Sequence, residues 1–240
     1  MNLILLFPQD FIDHKRVRLQ GRRQQHIKDV HQGKPGDSFC VGMINGKIGQ
    51  GILETIDEHS VELRITLHRD PPKALPITLI VALPRPKMLK RILQTIATMG
   101  VKKLIFINSV RVEKSYWQTP ILQEKNLLEH LTLGLEQARD TVMPEIILEK
   151  RFKPFVEDRL ASIISNQTAL VAHPNLGDYC SGNYQSTENA TATTLAVGPE
   201  GGFIPYEIDK LIDCGFKGIH LGERILRVET AIPVLLAKLF

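Results

Sequence analysis

The alternation of hydrophobic and polar residues changes its pattern once along this chain, near residue 70. Before that point, residues 61–68 alternate apolar and polar side chains, which predicts a strand with one buried face. Asn45 and Gly46 separate two short apolar stretches and predict a β-hairpin with a type I′ turn. Together with the helix-compatible stretch 22–32, these short strands predict a small closed β-barrel over residues 1–70.

Beyond the proline-stiffened segment Asp70-Pro71-Pro72, predicted strands alternate with predicted helices. Residues 77–83 form a nearly continuous apolar run, as expected for a strand that is covered on both faces. Residues 88–99 predict a helix that ends at Gly100. A longer helix is predicted at 121–139, and further strands are predicted at 104–107, 146–148, 169–172, 194–197 and 218–221. This alternation predicts an α/β domain with a parallel sheet over residues 74–240, and the polar stretch 175–193 predicts a loop.

The composition is that of an ordinary globular protein and does not by itself indicate a function. The 240 residues are 43% hydrophobic and 23% charged, with a net charge of +4, which is ordinary for a globular protein. Three scattered cysteines predict neither a disulfide framework nor a zinc site, so we expect no metal and a reducing, cytoplasmic location. The apolar opening stretch ends at Pro8 and Asp10, too early for a signal sequence or a membrane span.

Two glycine-containing loops near the C-terminus carry the strongest chemical signal. VGPEGGF ends one predicted strand at residues 197–203, and LGERILRVETA ends the next at residues 221–231. We expect these two strand ends to be adjacent and to build a cleft at one edge of the sheet, where α/β proteins bind ligands. Glycine lets the backbone approach a flat ligand closely. Neither a phosphate-binding GxxxxGK sequence nor a GxGxxG after a strand is present, which disfavours nucleoside triphosphates and NAD.

These two motifs resemble the RsmE family of 16S ribosomal RNA uridine-N3 methyltransferases, within the SPOUT superfamily. The family pattern is GPEGG followed by LG-x-R-[IV]-LR-x-ETA, and the resemblance extends over essentially the whole chain, including Glu136 and Gln137 upstream of Pro144. It implies a PUA-like N-terminal barrel, a C-terminal trefoil knot, S-adenosylmethionine as cofactor and a homodimer. The chain departs from the pattern at Glu223, where proline is common, and at Thr95 and Thr98, near the usual Lys and Glu.

The resemblance also implies a cofactor site made of three loops. The expected cofactor-binding residues are His173, Pro174, Leu195, Val197, Gly198, Pro199, Glu200, Gly201, Gly202, Leu221, Gly222, Ile225, Leu226 and Arg227. Backbone amides and apolar walls in these loops suit a flat adenine and a sulfonium. For His173, a packing or capping role stays open beside a role as a base.

Methylation at uridine N3 requires loss of a proton whose pKa is roughly two units above neutral, which costs on the order of 3 kcal/mol. Arg224 and Arg227 can hold uracil oxygens or a phosphate, and Glu200 and Glu229 are candidate bases or ribose acceptors. These four residues are the expected catalytic group. Glu229 has an alternative role as a first-turn carboxylate that stabilises the last helix.

RNA contacts are expected from two basic clusters, since cations neutralise phosphates. The clusters are Lys15, Arg16, Arg18, Arg22, Arg23 and Lys28, which have no acidic residue among residues 14–28, and Arg85, Lys87, Lys90 and Arg91. A solvated charged surface is the alternative. Tyr116 and Trp117 can stack a base or pack in a core or dimer contact.

Taken together, the sequence predicts an S-adenosylmethionine-dependent methyltransferase of 16S rRNA in the small ribosomal subunit, acting at uridine N3. A SPOUT enzyme for another rRNA or tRNA nucleotide is one alternative, and an inactive ribosome-binding homologue is another. The apolar last helix, predicted at residues 230–240 with Lys238 as its only charge, favours a homodimer because it needs cover on more than one side.

Overall fold

The computed structural model describes residues 2–174, 176–180 and 192–240. The chain forms two compact units, one of Met1–Lys73 with Leu131–Met143 and one of Ala74–His130 with Pro144–Phe240. The sequence predicts domains at 1–70 and 74–240, so the assignment of residues 131–143 to the first unit is a feature that local patterns do not predict. In the described parts of the chain, no helix is long and apolar enough to span a membrane.

The first unit is a five-stranded sheet with one helical segment. Its strands are β1 (Ile4–Leu6), β2 (Arg16–Leu19), β3 (Ser38–Met43), β4 (Ile48–Ile56) and β5 (Val61–Arg69), in the order β1-β3-β4-β5-β2. The pairings are antiparallel except between β1 and β3. Helix α1 (Arg22–Gln25) continues as a π-helical turn (His26–Val30), which places Ile27 in the core. In the described residues, β1 and β2 are the outermost strands of this sheet, and an isolated antiparallel bridge joins Phe11 to Val17 of β2. The two outermost strands do not pair with each other, so the closed barrel that we expected is not confirmed.

The hairpin between β3 and β4 forms where the Asn-Gly signal predicts it, but its turn is not type I′. That turn needs positive φ at both central residues. Asn45 has a φ of 54°, whereas Gly46 is not among the residues with positive φ. The loop is instead held by the segment 131–143. Asn45 N–H donates to Thr141 O (2.8 Å), and the Thr141 hydroxyl donates to Gly46 O (2.5 Å). Both central residues of the turn therefore make long-range hydrogen bonds, in addition to the local bond from Gly46 N–H to Met43 O (2.8 Å).

The second unit is built on a seven-stranded, all-parallel sheet. Its strands are β6 (Ile77–Ala82), β7 (Lys103–Ile107), β8 (Glu145–Glu149), β9 (Thr168–Ala172), β10 (Asp178–Tyr179), β11 (Thr193–Val197) and β12 (Lys217–His220). Their order is β10-β12-β9-β11-β6-β7-β8. Every residue of β6 and β11 is buried, which explains the unbroken apolar runs in the sequence. The predicted parallel α/β domain is confirmed.

Helices connect the strands of this sheet. They are α2 (Pro86–Thr98), α3 (Glu124–Ala138), α4 (Phe152–Pro154) with a π-helical turn (Phe155–Arg159) and α5 (Leu160–Ile164), α6 (Pro205–Asp213) and α7 (Val228–Leu239). Gly100 follows α2 with a φ of 81°, as expected for a glycine that ends a helix. Residues of α3 from Leu131 onward belong to the first unit.

Two sequence-based expectations about this unit need correction. Strands β11 and β12 are not adjacent, because β9 lies between them and pairs with both. Of the predicted loop 175–193, residues 175 and 181–191 lie outside the described part. The remainder contains β10 and the buried Cys180, because Asp178 and Tyr179 pair with Ile219 and His220.

Candidate functional site

The sheet order brings three loops together at the carboxyl ends of neighbouring strands. Ala172 at the end of β9 pairs with Val197 of β11 and with Ile219 of β12. The three following loops therefore start at the same level of the sheet, where α/β folds bind ligands. They enclose a cleft of about 350 Å³. Its lining is Arg111, Ala172, His173, Pro174, Val197, Gly198, Pro199, Glu200, Gly201, Gly202, Ile219, His220, Leu221, Gly222, Arg224, Ile225, Leu226, Val228, Ala231 and Leu235.

Most of the residues expected to bind a cofactor line this cleft, and two do not. Leu195 is fully buried inside β11. Arg227 is exposed and is the N-cap residue of α7, outside the lining. The expected catalytic residues divide in the same way. Arg224 and Glu200 line the cleft, whereas Arg227 and Glu229 do not.

Three glycines are needed by the shape of the loops. Gly202 and Gly222 have φ values of 73° and 99°, which L-residues with a side chain rarely adopt. A Cβ at Gly198 would lie 2.9 Å from the Phe203 backbone nitrogen, too close to be accommodated without a backbone shift. Gly201 differs, since a Cβ there would meet Arg111 Cδ at 2.9 Å. A side chain at Gly201 therefore meets Arg111 first.

Glu200 contacts the start of α2. Its Oε1 accepts a hydrogen bond from Arg85 N–H at 3.1 Å, and Arg85 is the N-cap residue of α2. A carboxylate at a helix N-terminus is stabilised in its charged form by the helix dipole. One carboxylate oxygen of Glu200 is therefore engaged in fixing the loop 198–202.

Arg227 and Glu229 begin α7. Arg227 O accepts hydrogen bonds from Thr230 N–H (2.9 Å) and Ala231 N–H (2.7 Å). Glu229 lies in the first turn and is half-buried, which suits the helix-stabilising role that the sequence left open. On the preceding loop, Arg224 is exposed and the side chain of Ile225 is 79% exposed, so this segment presents an apolar and a cationic side chain to solvent at the cleft.

His173 is held by its own loop. Its Nδ1 lies 2.7 Å from Pro174 O, and because a carbonyl oxygen only accepts, Nδ1 carries the proton. The His173 backbone N–H donates to Ile219 O at 3.0 Å. His173 Nε2 lies 3.5 Å from where a Gly202 Cβ would be. The ring therefore lies beside the glycine loop, which suits the packing or capping role that was left open beside a role as a base.

The sequence did not reveal six of the lining residues, whereas Ala172 begins the expected loop that contains His173 and Pro174. Ile219 and His220 lie at the end of β12, and Val228, Ala231 and Leu235 lie on one face of α7. The period of the apolar positions in α7 could have found that face. Arg111 comes from the loop after β7 and has no local sequence signal.

The first basic cluster is largely neutralised by acids from elsewhere in its unit. Arg16 pairs with Asp13, Arg18 with Glu62, Arg22 with Glu136 and Arg23 with Asp10. Lys15 and Lys28 are exposed. Residues 14–28 contain no acid, but acids outside this stretch lie next to its arginines in the folded unit. The stretch is therefore less positively charged in the structure than its sequence suggests.

Arg23 and Arg22 contact buried carboxylates. Arg23 makes two hydrogen bonds to the 6%-exposed Asp10 carboxylate, at 2.5 and 2.7 Å, and one to Leu5 O at 2.8 Å. Arg22 donates to Glu136 Oε2 at 2.7 Å, and Glu136 is 2% exposed. Burial raises the pKa of Glu136, while Arg22 lowers it. These two arginines stabilise the first unit.

The second basic cluster begins with Arg85 and extends along the first turns of α2, where Lys87, Lys90 and Arg91 are all exposed. Nearby, the Tyr116 hydroxyl donates to Glu113 Oε1 at 2.8 Å, and burial raises the pKa of Tyr116. Trp117 Nε1 donates to Asn108 Oδ1 at 2.9 Å. Both rings are half-buried, so part of each is engaged in packing. Among the described residues, no group of three or more His, Cys, Asp or Glu residues is arranged to hold a metal ion.

Comparison with known proteins now identifies the family. The model of the RNA methyltransferase domain family matches residues 71–239, which is most of the chain and contains the whole cleft. The chain belongs to this family. The match begins at the sequence boundary between the two predicted domains.

Relatives extend the likeness over nearly the full length. Ribosomal RNA small subunit methyltransferase E of Treponema pallidum is 27% identical over 234 residues, covering 95% of this chain and 86% of that protein. Ribosomal RNA small subunit methyltransferase E 1 of Borreliella burgdorferi is 25% identical over 231 residues, covering 96% and 94%.

Solved structures share the fold of both units. The Neisseria gonorrhoeae ribosomal RNA small subunit methyltransferase E bound to S-adenosyl methionine has a TM-score of 0.73 at 22% identity, covering 99% of this chain and 95% of that chain. A Legionella pneumophila protein in complex with the cofactor SAM has a TM-score of 0.75 at 21% identity, covering 100% and 97%. At these identities the likeness establishes the mixed α/β fold.

Proposed function

We propose that this protein transfers the methyl group of S-adenosylmethionine to N3 of a specific uridine in small-subunit (16S) ribosomal RNA. The observation that carries the proposal is the three-loop cleft at the carboxyl ends of β9, β11 and β12. The names of the relatives from Treponema pallidum and Borreliella burgdorferi support the RNA substrate. The cofactor-bound structures of similar fold support the donor.

The residues of the cleft fit S-adenosylmethionine. A flat adenine needs close backbone approach, and Gly198, Gly202 and Gly222 keep the loops free of side chains where a Cβ is strained or blocked. Apolar side chains such as Ile219 and Leu226 supply walls. A volume of about 350 Å³ lies in the usual range for ligand pockets. The cofactor supplies an activated methyl group on a sulfonium.

The protein's own residues must then bind uracil and stabilise its N3 anion. Losing the N3 proton costs on the order of 3 kcal/mol at neutral pH. Arg224, at the cleft, and Arg227, at the start of α7, are the proposed cations that meet the O2 and O4 oxygens as charge develops there. Glu229 and the remaining oxygen of Glu200 are the proposed proton or ribose acceptors. Alignment of N3 with the methyl group is the other requirement.

The finer features implied by the family resemblance belong to the same proposal. They are a PUA-like first unit that grips RNA through Lys15 and Lys28, further RNA contacts from the second basic cluster in the second unit, a C-terminal trefoil knot, a homodimer and a cytoplasmic location. The dimer has one further argument. On α7, Val234 is half-buried and Ala237 is exposed, and Phe240 after the helix is half-buried, so an apolar surface is left partly uncovered. Sedimentation velocity at micromolar concentration tests it, and a monomer would count against it.

Mass spectrometry of ribosomal RNA tests the main proposal. A strain that lacks the gene should lose 3-methyluridine at one position of the small-subunit RNA, and the wild-type gene should restore it. Loss of a different methylated nucleoside would favour a SPOUT enzyme for another nucleotide. Tight binding of S-adenosylmethionine with no lost methylation would instead favour an inactive ribosome-binding protein.

A further inference from the structure

Arg111 places a cation at the cleft from a loop outside the two glycine motifs. It follows β7, its side chain is exposed, and it lines the cleft. Its Nη1 donates a hydrogen bond to Gly201 O in the GPEGG loop. A guanidinium has five N–H donors, so this contact orients the group and leaves donors for a ligand.

A buried carboxylate fixes the loop that carries Arg111. Glu207, on α6, is 1% exposed. Its Oε1 accepts Val110 N–H at 2.8 Å, and its Oε2 accepts the Ser109 hydroxyl and Ile204 N–H, both at 3.0 Å. One side chain thus ties the residue before Arg111 to the segment that follows the GPEGG loop. Glu207 is a positioning residue for the contact between Arg111 and Gly201.

The charge of Arg111 has no partner of opposite sign among the described residues, unlike the arginines of the first basic cluster. A fixed cation at a ligand cleft is a binding group for oxyanions, because its planar fork matches two oxygens at once. We propose that Arg111 binds a phosphate of the RNA substrate beside the target nucleotide. This inference rests on the proposed function and assigns part of its RNA-binding surface.

Two oxyanions reach such a cleft, the RNA phosphate and the carboxylate of S-adenosylmethionine. The RNA phosphate is favoured because Arg111 and Gly201 are both exposed, so the guanidinium lies on the solvent side of the glycine loop. A cation placed deep in the pocket would also repel the sulfonium of the cofactor. An exposed cation avoids this repulsion and meets the substrate that arrives from solvent.

The test compares Arg111→Ala and Arg111→Lys with the wild-type chain. The substrate is small ribosomal subunits from a strain that lacks the gene. For Arg111→Ala we expect the KM for subunits to rise about tenfold with kcat changed much less, because a charge-assisted contact is lost. The slope of log KM against log salt should fall by about one, since one fewer phosphate is neutralised. Lysine keeps the charge and should restore the salt slope and part of the KM.

Calorimetry separates the two oxyanions. S-adenosylhomocysteine carries the carboxylate, whereas 5′-methylthioadenosine lacks the amino-acid part. Arg111→Ala should bind both as the wild type does. Weaker binding of S-adenosylhomocysteine alone would overturn the RNA assignment in favour of the cofactor carboxylate. Weaker binding of both ligands would show that Arg111 only supports the loop. The proposal would also be refuted if Arg111→Ala left both affinities, the KM for subunits and the salt slope unchanged.

Two further variants test the geometry. Gly201→Ala keeps the guanidinium but pushes it aside, since its Cβ meets Arg111 Cδ at 2.9 Å, and it should raise KM as Arg111→Ala does. Glu207→Gln replaces one carboxylate oxygen with an amide NH₂ group, which then faces the N–H and O–H groups that donate to Glu207. This variant should raise KM in an otherwise wild-type chain. It should not raise KM further in an Arg111→Ala chain, because no guanidinium is left to position. If the wild-type chain neither binds S-adenosylhomocysteine nor methylates subunits, the proposed function fails. If the wild-type chain binds S-adenosylhomocysteine and methylates subunits, and the variants have the same KM and salt slope as the wild type, only the proposed role of Arg111 fails.

Discussion

Replacing Arg22 with alanine should destabilise the first unit, although its place in a basic cluster suggests an RNA-binding role. Arg22 donates to Glu136 Oε2 at 2.7 Å across 114 residues of sequence. The side chain of Glu136 is 2% exposed and that of Arg22 is 47% exposed. Loss of one partner costs about 3–5 kcal/mol in a buried pair and about 0–1 kcal/mol in an exposed pair, so we expect about 2 kcal/mol here.

The cost should depend on pH in a defined direction. Burial raises the pKa of Glu136 above its ordinary value of 4.5, and Arg22 opposes this, so Arg22→Ala raises the pKa further. A carboxyl with a higher pKa in the folded state binds more protons there than in the unfolded state. The contribution of Glu136 to the free energy of unfolding is therefore most favourable below pH 4.5, and this advantage is lost as the pH rises through the raised pKa. The destabilisation by Arg22→Ala should therefore be largest near pH 8 and smaller near pH 5.

Urea unfolding followed by circular dichroism measures this effect. At pH 8 the midpoint should fall by about 1 M for a loss of about 2 kcal/mol. In a Glu136→Gln background, Arg22→Ala should cost much less, because no buried charge is left unpaired. Lys28→Ala, an exposed cation in the same cluster, is the matched control and should change stability by about 0.5 kcal/mol or less. An equal cost for Arg22→Ala at both pH values and in both backgrounds would refute the reasoning.

Three other predictions concern ligands. Arg227→Ala should leave S-adenosylmethionine affinity within a few-fold and lower methylation of subunits by about a hundredfold or more, with partial rescue by lysine; normal methylation would make Arg227 structural and Arg224 the candidate. Gly222→Ala should weaken cofactor affinity about five- to thirtyfold by calorimetry, because a φ of 99° costs a residue with a side chain about 1–2 kcal/mol. Unchanged affinity would remove this loop from the site. Lys28→Ala should weaken RNA binding and reduce its salt slope, and an unchanged slope would make Lys28 a solvated surface residue.

Local patterns predicted the elements of the second unit well. Strand β6 is a nearly unbroken apolar run because the sheet is covered on both faces. Burial on both faces selects apolar residue types, so it can be predicted from the sequence. Helix α2 ends at Gly100 because a positive φ is needed there, which glycine signals by itself. The two glycine loops were also visible, since a backbone that must adopt strained conformations selects glycine locally.

The turn between β3 and β4 shows where such local reasoning stops. The Asn45-Gly46 pair predicts a hairpin, and a hairpin forms. Its turn is not the predicted type, and both central residues hydrogen-bond with Thr141, nearly 100 residues away, which no local pattern contains. The π-helical turn after α1 is likewise not indicated by the helix-compatible stretch 22–32.

The sequence by itself determined the strands, the helices and the loops that need glycine, because these follow from short-range periodicity and backbone conformation. Only the tertiary structure decided which loops meet and which charges cancel. Strand β9 lies between β11 and β12, so His173 and Pro174 join the cleft from between the two glycine motifs. Glu136, 114 residues away, pairs with Arg22, and Glu207 fixes the loop from which Arg111 reaches the GPEGG loop. Each of these arrangements depends on contacts between residues distant in sequence, whose positions are set by the order of the strands and by packing within each unit.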